Sequence, residues 1–214
     1  GAIGTDIGTI TITNSGGTTF SGTVDAATVA ITSTTVNNAV SFSDNLNLSS
    51  GMTVGAGSAA YNVAINGSSN TIAGATTFNN TGTVTLGNGS DTINFTGGVV
   101  ATAPSAVTVN GTVTAAGTGV ITLGDSNTGV TIGGTSTIGG TSTGAITLGA
   151  ATLVDGATLT VGTGIANAIS LSSVTGTAAG TTSHLTINTT GAVTVLGAIG
   201  TDIGTITITN SGGT

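Results

Sequence analysis

GAIGTDIGTITITNSGGT occupies residues 1–18, and within it Thr9-Ile10-Thr11-Ile12-Thr13 alternates strictly between threonine and isoleucine. A strand turns successive side chains to opposite faces, so Ile10 and Ile12 share one face and the threonines take the other. The pattern predicts a strand with one apolar side. The same eighteen residues return unchanged at 197–214. Identity of that length at a spacing of 196 residues predicts a unit covering 1–196, with 197–214 starting the next identical unit. The two copies are expected to occupy equivalent coils, with Ile206 and Ile208 facing inward as Ile10 and Ile12 do.

The same alternation recurs in Thr83–Leu86, Thr158–Val161 and Leu185–Asn188. Similar phrases return as VTLG at 84–87 and ITLG at 121–124 and 146–149. Their aliphatic residues are expected inside: Val84, Leu86, Ile121, Leu123, Leu159, Val161, Leu185 and Ile187. Between the runs lie Asn66-Gly67, Asn88-Gly89, Asn110-Gly111 and Asp155-Gly156, pairs that favour tight corners. No apolar stripe of helical period extends over three turns.

Short strands without helices suit a sandwich, a barrel or a solenoid. Aromatics make up 2% of the chain, namely Phe20, Phe42, Phe78, Phe95 and Tyr61. A sandwich of this size normally has bulky aromatic anchors at its centre. Recurring phrases filled by Val, Ile, Leu and Ala favour a parallel β-solenoid, or β-helix, whose coils stack like on like. Coils of roughly 20–25 residues would give about eight to ten per unit. IGGTST occurs in tandem at 132–137 and 138–143, a hexapeptide spacing that suits a left-handed coil. That register is lost elsewhere, so a right-handed coil is favoured over a left-handed one.

The formal net charge is −7, from Asp6, Asp25, Asp44, Asp91, Asp125, Asp155 and Asp202, with neither Lys nor Arg. A chain without cations has nothing to pair with phosphates, which argues against nucleic acid and anionic lipid as partners. No run of about 18 apolar residues is present, so no membrane insertion by a helix is expected from this segment. With no cysteine, disulfides and thiolate metal sites are excluded.

These residues, with phrases such as GTVTLGNGSDTINFTGG at 82–98, resemble giant repetitive bacterial surface proteins of the filamentous-haemagglutinin and autotransporter-passenger type. The resemblance is compositional and covers the whole chain. It implies secretion, a parallel β-solenoid, and a structural or adhesive role at the cell surface or in a matrix. The partners expected are further copies of the unit, end to end or side by side, and glycans. Two alternatives are a surface-layer protein of antiparallel β-sandwich domains and the stalk of a carbohydrate-binding adhesin.

No constellation points to catalysis, and the chain is read as a non-enzyme without a cofactor. Gly87-Asn88-Gly89-Ser90-Asp91-Thr92-Ile93 matches the core of calcium-binding nonapeptide repeats, making Asp91 a candidate calcium ligand. The motif stands alone, however, whereas calcium needs six or more oxygens, so a turn capped by Asp91 is the competing reading. Asp125 and Asp155 read as corner residues making Asx-turns. His184, the sole histidine, is expected on the outer face opposite Leu185 and Ile187. The Thr-x-Thr phrases raise an ice-ordering face, but the uneven strand spacing argues against one. Sequons at Asn47, Asn66, Asn94 and Asn110 leave glycosylation open.

Overall fold

The structure is a computed structural model that describes residues 1–178 and 180–213. Among these residues there are twenty-two strands and no helix. Every ladder between the strands is parallel. The chain is a β-solenoid of about nine turns. This overturns the alternative of antiparallel sandwich domains. A hairpin sandwich needs neighbouring strands to reverse, and here each strand pairs with its counterpart one turn away.

Each turn crosses three faces. On the first, Ala26, Leu48, Ile72, Phe95 and Ala115 stack in register. The second carries Ile12, Ile31 and Val54, and further along Ala101, Leu123, Leu148, Leu171 and Val195. The third stacks Val40, Val63, Val84, Val107, Val130, Ala151 and Val174. Strand Ala106–Ala115 serves two faces. Its register slips between Val109 and Gly111 as it turns the corner. Gly111 makes that corner with a φ of 137°, and Gly87 does the same one turn earlier with a φ of 86°.

The core is a column of stacked aliphatics, buried because each turn is covered by the next. Of the residues expected inside, Ile12, Val84, Leu86, Ile121, Leu123, Leu159, Val161, Leu185 and Ile187 are buried, and Ile10 is half-buried against the same core. Ile206 and Ile208 are not buried: they are 49% and 43% exposed. They pair in register with buried Leu185 and Ile187, so they point the same way. Lying in the last described turn, they are covered on one side only.

The aromatic side chains correct a second expectation. Phe42, Phe78, Phe95 and Tyr61 are fully buried, so the first half of the solenoid does have bulky anchors. Phe20 stacks on Phe42 with centroids 4.9 Å apart, and Phe78 meets Phe95 edge-on at 6.1 Å. Tyr61 lies under the Gly55 corner and donates its hydroxyl to the Gly55 carbonyl. Burial pushes its phenol up from 10.0 to about 12. Raising the folded value above the unfolded one favours the native state below about pH 10, and that contribution is lost as pH climbs toward 12. An ultraviolet titration of this single tyrosine is expected to show ionisation near pH 12 in native protein and near pH 10 in denaturant.

The described parts of the two copies share their positive-φ positions. Asp6 and Asp202 have φ of 73° and 64°, Asn14 and Asn210 of 50° and 57°, and Gly17 and Gly213 of 113° and 148°. They do not, however, occupy the same face. Ile12 belongs to the second face through Ile31 and Val54. Ile208 belongs to the first, through Ile187, Val161, Ile138, Val113 and Ile93. Likewise Ile3 pairs with Val24 on the first face, while Ile199 bridges to Val174 on the third. The expectation of equivalent coils fails because the intervening strand segments are one face short of a whole number of turns.

Candidate functional site

The outer surface is where a solenoid meets partners, and regular ladders decide what it offers. On the first face Thr92, Thr112, Thr137, Thr160, Thr186 and Thr207 stack threonine on threonine. On the third, Thr85, Thr108, Thr131, Thr152 and Thr175 do the same. Uneven spacing in the sequence hides this order, because extra residues go into corners and leave the strands in register. Beside Thr92, Thr112 and Thr137 run Asn94, Thr114 and Gly139, so the first-face ladder is a single file of threonines and not a two-dimensional hydroxyl array.

The first face also bears a trough. A groove of about 570 Å³ is lined by Asp6, Ile7, Asp25, Asn47, Leu48 and Thr71 among others. A smaller one of about 360 Å³ continues from Thr71 past Asn94 and Thr114 to Thr141. Register places Asp25, Asn47, Thr71, Asn94 and Thr114 in one outward file across five turns. Asn47 Nδ2 donates to Asp25 Oδ1 at 2.8 Å, and Thr114 Oγ1 donates to Asn94 Oδ1 at 3.2 Å. Exposed Ile7 adds an apolar patch at one end. The larger groove thus sets the Asp6 and Asp25 carboxylates, the Asn47 amide and the Thr71 hydroxyl beside the apolar surface of Ile7 and Leu48.

Asp91 lies outside this trough and is 8% exposed. Its Oδ2 accepts the Asn88 backbone N–H at 2.8 Å and so closes the turn of its own motif. Among the described residues no group of three or more His, Asp, Glu or Cys side chains is placed to hold a metal ion. Asp125 caps its corner as an Asx-turn, accepting the N–H groups of Asn127 at 2.7 Å and Thr128 at 2.9 Å. The Asp155 carboxylate packs against Gly180, and Gly156 N–H reaches across to Thr181. His184 is half-buried on the first face, with Nδ1 2.6 Å from Thr205 Oγ1. The structure brings none of these groups together with Asp91.

Buried polar residues at one corner were not singled out from the sequence. Ser142 Oγ donates to the Gly119 carbonyl, and Asn167 Nδ2 donates to the Ser142 and Gly144 carbonyls. One turn on, Thr189 Oγ1 donates to the Ile165 and Asn167 carbonyls. The side chains thus pair carbonyls that a tight corner turns away from the ladders. In the sequence each is one more Ser, Asn or Thr beside a Gly or Ala. Replacing Asn167 with alanine orphans two carbonyls, and should cost about 1–3 kcal/mol, read as a lower urea midpoint.

Compared with family models, curated proteins and solved structures, the chain matches none.

Proposed function

We propose that this chain is a non-catalytic structural repeat of an extracellular or cell-surface fibre, of the filamentous-haemagglutinin and autotransporter-passenger kind. The observation that carries this reading is the unbroken parallel ladder running along the solenoid. Every turn is hydrogen-bonded to the next, so stiffness propagates along the axis. The outward faces are rich in threonine and lack any cation. Such a surface suits side-by-side packing of rods through hydroxyl contacts. Units of 196 residues joined in tandem would extend the same ladder. Asp91 acts in this reading as a turn cap, and the fibre needs no calcium.

The test is electron microscopy of a chain of several tandem units, with and without EDTA. Unbranched rods that lengthen with unit number and survive the chelator are expected. Compact particles, or rods that collapse in EDTA, would overturn the reading. A second reading, the stalk of a glycan-binding adhesin, is favoured by the trough over Asp25, Asn47 and Thr71. It predicts retention on a neutral polysaccharide column that Asn47→Ala abolishes; no retention of the parent chain sinks it.

A further inference from the structure

Resting on the tandem-fibre reading, we infer that successive units are turned by one face about the fibre axis, so the fibre presents each surface feature on three sides in rotation. The argument uses two observations together. First, both copies of the eighteen-residue stretch keep the same left-handed corners, at Asp6 and Asp202 and at Asn14 and Asn210. The repeat therefore restarts with the same positive-φ corners. Second, the restart falls on a different face. Ile3 stacks on Val24 in the first-face column, whereas Ile199 stacks on Val174 in the third-face column. Ile12 lies in the column of Ile31 and Val54, whereas Ile208 lies in that of Ile187 and Val161.

Each unit is thus one face short of nine turns. A following unit with the same local structure would place its counterpart of the Asp25–Asn47–Thr71 file on the third face, and the unit after that on the second. Three units bring the file back to its starting side. A fibre with an integral number of turns per unit would carry all its troughs and threonine ladders along one side and would pack into ribbons. The one-face offset distributes them around the rod, so neighbouring fibres can be engaged from three directions and the assembly becomes a bundle.

The experiment uses three tandem units with one cysteine in each, placed by Val36→Cys, since the chain has no other thiol and Val36 is 62% exposed. Maleimide-gold marks each unit, and tilted-view electron microscopy reads the side on which each cluster lies. A second, single-unit chain carrying Thr53→Cys and Thr194→Cys calibrates the intrinsic coil-to-coil twist. Both residues are exposed on the second face, several turns apart. The expected result is clusters spaced by about 40 Å along the rod, at about 4.8 Å per turn. After the twist is subtracted, each cluster should be rotated by one-third of a turn from the last. Clusters aligned on one side would overturn the offset while leaving the fibre intact. Absence of rods would instead overturn the fibre reading on which the offset rests.

Discussion

Gly111→Val is expected to prevent the first half of the solenoid from closing. Gly111 has a φ of 137° and sits where strand Ala106–Ala115 turns from the third face to the first. A Cβ there would lie 2.4 Å from the Asp91 carbonyl oxygen and 2.9 Å from the Asp91 nitrogen. Both atoms belong to the backbone of the turn below, so no side-chain rotation relieves the clash. A β-branched residue at positive φ adds strain of about 1–3 kcal/mol. The turns must also separate locally, which breaks the ladder to strand Thr83–Phe95 on both sides of the corner. The measurement is circular dichroism with limited proteolysis: loss of a cooperative transition and cleavage between residues 83 and 115 are expected. Gly89→Ala is the control. Nothing lies within 4 Å of its Cβ, and it should change stability by no more than about 0.5 kcal/mol.

Phe95→Ala carries the second largest effect. Phe95 is fully buried and stacks in register between Ile72 and Ala115. Its ring meets Phe78 edge-on. Truncation removes the ring and leaves a cavity that the rigid ladders cannot close, at a cost of about 3–5 kcal/mol. Because each turn contacts only its neighbours, the damage should stay local. Hydrogen exchange is expected to accelerate around residues 72–115, while the turns from Leu159 to Ile187 keep their protection. Uniform loss of protection along the whole chain would contradict this nearest-neighbour account.

Much of the architecture can be read in the sequence because a strand's period of two is written directly in Val, Ile, Leu and Thr. Val84 and Leu86, or Leu185 and Ile187, alternate with Thr85 and Thr186 and are buried as that alternation requires. Ile206 and Ile208 carry the same pattern, yet burial needs a covering turn on each side and not a pattern alone. The aromatic anchors are also invisible to periodicity. Phe42 meets Phe20 one turn below it, and Phe78 meets Phe95 from another face, pairings that depend on how the turns register and not on a period within one strand. The threonine ladders are hidden for a related reason: corners of unequal length, such as residues 96–98 and 162–168, change the sequence spacing while the register between strands holds. Asp91 carries two readings in the sequence, calcium ligand and turn cap. Its motif suggests a calcium ligand, while in the structure its carboxylate accepts a hydrogen bond from the turn that holds it. The offset between the two repeat copies lies deepest, since it depends on how many faces the chain crosses between them.

Diffraction from aligned rods of tandem units tests the central claim most directly. A parallel solenoid fibre predicts a strong reflection near 4.8 Å along the rod axis, because strands lie across the axis and hydrogen bonds run along it. A 4.8 Å reflection perpendicular to the axis would mean strands running along the rod, and would contradict the solenoid fibre.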